Sequence, residues 1–234
     1  MRKQEGLISA VLPTYNRADY WLPKSIEGVL LQTYPAFELI IVDDGSSDST
    51  EHVVASFRDA RIRYLRVNEN SASVSIPRNI GIVSANGEYL AHVDDDTVSF
   101  PCRFEVLITA LRDSPEYFVA YGNRNCEGIC YKCIGYNPEH GPGLDTSQFL
   151  YRACVYDHMP LVFCRNQCDW EILRGIWKLR KSFLHVDALV CEYIWHGSNR
   201  TLDQCKRNRP IVPTNFAEFF LPHRDRFKFS LTAV

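Results

Sequence analysis

Residues 38–50 read ELIIVDDGSSDST. Leu39–Val42 is a strand-length apolar run rich in β-branched side chains. It stops at Asp43-Asp44-Gly45-Ser46, where acids, glycine and serine supply turn chemistry. Asp48 and Glu51 then have the spacing of a capping box, which opens a helix through Val53, Val54 and Phe57. Strand, polar turn and helix in that order make one α/β unit. The fold depends on whether the unit recurs.

It recurs on both sides. Upstream, Leu7–Leu12 is an apolar run ending at Pro13-Thr14-Tyr15-Asn16-Arg17. Leu22, Ile26, Val29 and Leu30 then share a helical face, with Pro23 suited to its first turn. Downstream, Ile62–Val67, Tyr89–Val93 and Phe118–Tyr121 read as strands. Between them, Ile80 and Val83 continue a helix after Pro77, and Phe104, Leu107, Ile108 and Leu111 mark another. This alternation predicts an α/β domain with a mostly parallel central sheet flanked by helices.

The 234 residues are 46% hydrophobic, which suits one large domain or one domain with a small appendage. A charged fraction of 23% and a net charge of −2 exclude a disordered chain and a generally basic nucleic-acid binder. The run LISAVL before Pro13 is too short for a signal-peptide core, and no segment reaches about 18 uninterrupted apolar residues. A soluble cytoplasmic protein is expected. Its nine cysteines are odd in number, so reduced thiols are expected rather than a disulfide framework.

Past residue 122 the periodicity lapses. GNRNCEGICYKCIGYNPEHGPG (122–143) reads as a long loop. Its Cys126, Cys130 and Cys133, with His140 or Cys154, either hold zinc or form a loop of reduced thiols. Trp170, Leu173 and Trp177 share a helical face after Asp169, and HVDALVCEYIWH (185–196) reads as a strand. The tail NFAEFFLPHRDRFKF (215–229) mixes aromatic and basic residues that suit packing on the domain, a second subunit in a homodimer, or a membrane surface.

Ligands in parallel sheets collect at the carboxyl ends of strands. Three predicted strand ends carry polar clusters: residues 13–17, residues 43–46, and Asp94-Asp95-Asp96-Thr97. The last closes YLAHVDDDTV (89–98), a stretch without Lys or Arg. Adjacent carboxylates raise one another's pKa unless a cation is present, and oxygen-only ligands favour Mg²⁺ or Mn²⁺. Each cluster also has a plainer reading, as a solvated acidic turn or a helix cap.

Taken together, VLPTYNR, ELIIVDDGSSDST and PRNIGIVSANGEYLAHVDDDT resemble the family 2 glycosyltransferases of GT-A (Rossmann-like) fold. The resemblance is nearly continuous from residue 7 to about residue 112. CDWEILRG and HGSNRT (196–201) extend it more thinly. It implies inverting transfer from a nucleotide-diphosphate sugar, with UDP favoured, to a glycan, lipid-linked or small-molecule acceptor. It implies Pro13, Thr14, Tyr15 and Arg17 around the nucleotide, with Tyr15 stacked on the base. Asp44 matches the residue that holds uracil, with Asp43 beside it, and Arg78 and Asn79 approach the nucleotide or diphosphate. Asp94 and Asp95 contact the donor, Asp96 binds metal with Asp94 and His196 as further candidates, and Asp169 is the general base. Thr97 stands where the family often has another acid. The implied division is 1–122 for the nucleotide sugar, 123–204 for the acceptor side and base helix, and 205–234 as a tail. A peripheral position on the inner face of a membrane would bring a lipid-linked acceptor within reach.

Two other readings use the same residues. A nucleotidyltransferase also pairs strand-end carboxylates with Mg²⁺, but it usually carries a Gly-rich basic loop where this chain has PTYNRADY. A non-catalytic nucleotide-sugar-binding module would keep the pocket and lose turnover.

Overall fold

The computed structural model describes residues 3–126, 129–131, 136–137, 141–142, 144–163, 168–179, 182–193 and 229–232. The side chains of Cys126, Cys130, Cys133 and His140, all of His196, and residues 194–228 lie outside that description, as do the readings that rest on them.

The first half alternates as expected. The elements are β1 (Gln4–Thr14), α1 (Trp21–Leu30), β2 (Phe37–Asp43), α2 (Thr50–Ser56), β3 (Ile62–Val67), α3 (Ser75–Ser84), β4 (Gly87–His92), β5 (Thr97–Ser99) and α4 (Arg103–Asp113). Then follow β6 (Tyr117–Cys126), β7 (Ile129–Tyr131), β8 (Tyr136–Asn137), β9 (Gly141–Pro142), a 3-10 turn Thr146–Gln148, and β10 (Phe149–Arg152). A second 3-10 turn Ala153–Asp157, α5 (Cys168–Lys178), β11 (Ser182–Tyr193) and β12 (Phe229–Thr232) complete the described elements.

The main sheet runs β12-β3-β2-β1-β4-β10-β6-β11-β5, with β7 beside β6. Its core β3-β2-β1-β4 is parallel, whereas β10 enters antiparallel to both β4 and β6. All seven residues of β2 are buried. Leu39 and Ile41 pack with α1 and α4 on one face, and Ile40 and Val42 pack with α3 and α5 on the other. That is the period-2 alternation of a strand covered on both sides.

Some local expectations change. Asp48 does not make a capping box with Glu51. Its Oδ1 accepts the Thr50 N–H at 3.0 Å as a turn, and Glu51 faces Arg66 at 3.5 Å instead. The helix expected after Pro77 starts at Ser75, and Val83 points to solvent. On α5 the buried stripe is Cys168, Ile172, Leu173 and Ile176. Trp170 is exposed and Trp177 packs on Phe183, with ring centroids 5.6 Å apart. Thr97 is fully buried and opens β5, paired with Tyr193 of β11. The chain turns back into the sheet there, so a charged residue would cost heavily at that position.

The order β3-β2-β1-β4 places a topological switch point between β1 and β4, where chain crossovers leave in opposite directions. Val11 pairs with His92, and the Val93 N–H continues the ladder to the Val11 carbonyl at 2.9 Å. That register delivers Thr14 and Asp95 side by side at the carboxyl edge.

Candidate active site

Thr14 Oγ donates to Asp95 Oδ2 at 2.9 Å, which closes the switch point. Arg17 Nε lies 3.9 Å from Asp95 Oδ1. Tyr15 between them is exposed at the strand end, 42% accessible, as an aromatic face available to a ligand must be. Asn16 adopts φ 51° and ties this turn to the next strand end: its N–H donates to Ser46 Oγ at 2.8 Å, and its Oδ1 accepts the Ser47 N–H at 2.8 Å.

The acids after β2 are structural anchors of that edge. Asp43 is fully buried, accepting the Ser46 N–H at 2.8 Å and the Tyr64 hydroxyl at 2.5 Å. Asp44 accepts the Ser71 N–H at 3.1 Å, the Ser71 hydroxyl at 2.8 Å and the Asn70 amide at 3.1 Å, which pins the loop after β3. Gly45 makes this approach possible. It has φ +77°, and a Cβ there would sit 2.8 Å from the Asn70 nitrogen.

The acids after β4 are not without cations. Arg78, from α3, is 3% exposed and places Nη2 2.9 Å from Asp94 Oδ1. It also lies in the field of Asp169 and hydrogen-bonds Cys168, both in the first turn of α5. Burial pulls the Arg78 pKa down, but Cys168, Asp94 and Asp169 outweigh it, so the guanidinium stays charged. Asn79 beside it is buried and donates to the Val162 carbonyl at 2.7 Å, tying α3 to the segment ahead of α5. Arg78 and Asn79 are thus buried and engaged with protein groups.

A further carboxylate, Asp145, joins from a region where the sequence offered no usable resemblance. It lies 2.8 Å from Arg124 Nη1 and caps its own turn: its Oδ1 accepts the Ser147 N–H at 3.3 Å, and the Gln148 side chain returns to the Asp145 N–H at 2.9 Å. The Asp145-to-Gln148 spacing is a capping-box signal that could have located this turn from sequence.

The electrostatics follow from the crowding of partly buried carboxylates. Burial pushes Asp95 up to about 7 and Asp96 adds to the push, against Arg17 and Thr14. Asp94 is raised well above the ordinary carboxylate range by burial, which with Asp145, Asp96 and Asp169 outweighs Arg78. Asp145 is raised by burial, against Arg124, with Asp169 and Asp96 adding. Asp169 is raised by burial, while Arg78, N–H groups of the α5 first turn and the Thr146 hydroxyl pull it back.

Asp96 thus raises three neighbours: Asp94, Asp95 and Asp145. A divalent cation there would relieve all three at once, and the oxygen-only donor set fits Mg²⁺ or Mn²⁺. Among the described residues no group of three or more His, Cys, Asp or Glu converges as a self-sufficient metal site.

The structure brings together Thr14, Tyr15, Arg17, Asp94, Asp95, Asp96 and Asp169, and adds Asp145 and Thr146. Asp43 and Asp44 stand one strand further along the same edge, engaged with protein groups. The sheet gathers acids, an exposed aromatic and a first-turn helix carboxylate at its switch point, the place where open α/β sheets bind their ligands. Comparison with known proteins agrees. The family model for glycosyl transferase family 2 matches residues 9–160, roughly two thirds of the chain. The chain belongs to glycosyltransferase family 2, which favours sugar transfer over nucleotidyl transfer.

It is 34% identical over 245 aligned positions to the putative colanic acid biosynthesis glycosyl transferase WcaA of Escherichia coli K12, covering 96% of this chain and 84% of WcaA. It is 36% identical over 117 positions to UDP-Glc:alpha-D-GlcNAc-diphosphoundecaprenol beta-1,3-glucosyltransferase WfgD of Escherichia coli, covering 50% of this chain. Several curated relatives are much longer than the match: the chain spans 45% of WfgD and 17% of an uncharacterized glycosyltransferase of Rickettsia felis. In fold it is similar to residues 1–349 of S. aureus TarS, crystallised with UDP-GlcNAc. The TM-score is 0.72 at 17% identity, over 94% of this chain and 65% of that one. Among the described residues no helix is long and apolar enough to cross a membrane.

Proposed function

We propose that the chain transfers a sugar from a nucleotide-diphosphate donor, a UDP-sugar, to an acceptor hydroxyl with inversion at the anomeric carbon. The observation that carries this reading is the cluster at the switch point, where Asp94 and Asp169, from two different elements, face one buried guanidinium, Arg78.

Tyr15 stacks on the base, Pro13 lines the same pocket and Asp44 holds the uracil. Thr14 and Arg17 fix Asp95, which with Asp94 faces the donor. When bound by Asp96 and Asp94, Mg²⁺ or Mn²⁺ offsets the negative charge on the departing diphosphate. The acceptor oxygen attacks the anomeric carbon, and Asp169 takes the hydroxyl proton. The bond from that carbon to the diphosphate oxygen breaks, and the nucleoside diphosphate leaves with the electron pair. Attack and departure use opposite faces of the sugar, so configuration inverts. The Arg78 charge pulls the Asp169 carboxyl back toward its ionised form against burial.

The acceptor is a lipid-linked sugar reached from the inner face of a membrane. WfgD is named for such an acceptor, and it supports this choice over a free glycan or small molecule.

A thermal-shift panel of UDP, GDP, dTDP and CMP sugars, with and without Mn²⁺, tests the donor. Stabilisation by a UDP-sugar that requires Mn²⁺ is the expected result. No shift with any donor sinks the binding site, and transfer that survives Asp169→Asn sinks the base assignment.

A further inference from the structure

Arg103 opens α4 and is fully buried, yet among the described residues no carboxylate lies within ion-pair reach of it. Its bonds all go to neutral oxygens. Nη1 donates to Ser99 Oγ at 2.9 Å, and Nη2 donates to the His92 carbonyl at 2.7 Å and to the Phe149 carbonyl at 3.3 Å. Burial pulls its pKa down to about 10, which leaves it charged at neutral pH. Taking a guanidinium out of water is costly, and an apolar side chain would fill the same space without that cost.

The three partners surround one segment. His92 is the last residue of β4, Ser99 the last of β5 and Phe149 the first of β10. Between His92 and Ser99 lie only residues 93–98, which carry Asp94, Asp95 and Asp96. The guanidinium therefore grips the acidic segment at both ends. Its third bond holds the start of β10, where the nearby Ser147 Oγ accepts the Asp94 N–H at 3.4 Å. Inside the segment the Thr97 N–H donates to the Asp94 carbonyl at 3.2 Å.

The root of Arg103 is fixed separately. Gln32, just past α1, accepts the Phe104 N–H at 2.9 Å and donates to the Phe100 carbonyl at 2.7 Å. The clamp is thus anchored outside the segment that it grips. Adjacent carboxylates repel one another, and a loosely held segment would spread under that repulsion. Arg78 and Thr14 restrain the side chains of Asp94 and Asp95, whereas Arg103 restrains the backbone from which all three acids spring.

We propose that Arg103 is a positioning residue for the cation, a clamp whose arms on His92 and Ser99 set the shape of residues 93–98 and so the place of the Asp96 carboxylate. The proposal rests on Asp96 binding Mg²⁺ or Mn²⁺ as given above.

Ser99→Ala releases one arm and leaves the guanidinium on its two carbonyls. Arg103→Lys keeps the charge but replaces the planar fork by a single ammonium. Calorimetry of Mn²⁺ binding in the presence of UDP, run below the melting temperature of each variant, reads the effect. Mn²⁺ affinity is expected to fall roughly 10-fold in Ser99→Ala and towards 100-fold in Arg103→Lys, the range found for groups that orient metal ligands. UDP binding without metal, which reads the Tyr15 pocket, stays near wild type. A lowered melting temperature with unchanged Mn²⁺ affinity marks a merely structural arginine and overturns the proposal. An equal loss of metal-free UDP binding overturns it too, because the whole site is then disturbed. Should Arg103→Lys fail to fold, Ser99→Ala decides alone.

If the wild-type chain binds no Mn²⁺ with UDP, the cation reading falls, and the clamp is decided by a crystal structure of Ser99→Ala. Displaced residues 93–98 on an unmoved β4 support it, and an unmoved segment overturns it.

Discussion

Arg78 Nη2 and Asp94 Oδ1 are 2.9 Å apart, and the arginine is 3% exposed. A buried guanidinium between α3 and the end of β4 supplies the acidic stretch at residues 94–96 with a cation from outside that stretch. The pair decides how that stretch behaves before any ligand arrives.

Removing the cation leaves Asp94 and Asp169 crowded without their shared partner. Arg78→Ala is expected to destabilise the fold by on the order of 3 kcal/mol, since breaking a buried pair strands the remaining charge. Urea unfolding of variant and wild type at neutral pH measures this, and a change within about 0.5 kcal/mol, the usual size for a neutral surface substitution, contradicts it.

Asp95 gives the pH dependence. Its carboxyl is pushed up to about 7 in the folded chain by burial and by Asp96. An unfolded Asp titrates near 3.9, so between about pH 4 and 7 the folded state holds the extra proton. Stability from this group is therefore full at about pH 4 and falls as pH rises to about 7, by at most about 1.4 kcal/mol per pH unit. Asp95→Asn removes this residue's share of the slope and leaves that of Asp94, Asp145 and Asp169, which are raised in the same direction. Unfolding free energies measured across the window, without metal or nucleotide, check the sign.

Tyr64 offers a test away from the chemistry. Its hydroxyl donates to the fully buried Asp43 at 2.5 Å. Tyr64→Phe should cost about 1–3 kcal/mol by leaving a buried carboxylate oxygen one donor short. Asp43 still accepts the Ser46 N–H and lies 3.4 Å from Arg66, so the variant should fold and thermal melting can read the loss.

Asp169→Asn is isosteric and keeps the first-turn position on α5. Transfer is expected to fall by roughly 10²–10⁴, the usual worth of a general base, with UDP affinity little changed. Calorimetry with UDP and Mn²⁺ beside the transfer assay separates the two effects.

Asp96→Ala tests the cation. A ligand held only by the folded state raises stability by about 2.7 kcal/mol at 100 times its Kd. The Mn²⁺-dependent part of the UDP thermal shift should vanish in this variant. A shift that persists places the ion elsewhere.

Much of the site was legible along the chain, because strand and helix periods are local. LIIV before Asp43 and LAHV before Asp94 place acids at strand ends whatever lies beyond. What misled was also local. The stretch around Asp94–Asp96 contains no Lys or Arg, so it read as unneutralised, although its cation sits on the preceding helix. Val83 fits a helical period but faces solvent. Asp145 escaped notice because its neighbourhood has no long apolar period, only a capping-box spacing.

The sequence by itself determined the α/β class, the strand ends that carry carboxylates, and the family. Only the tertiary structure decided which charges meet. Thr14 reaches Asp95 across 81 positions, through a register set by β1 and β4 pairing. Arg78 reaches Asp94 because α3 packs against the sheet with its polar tip inward. Hydrophobic periodicity is written in neighbouring residues, whereas electrostatic pairing depends on crossovers and registers that bring distant ones to the same point.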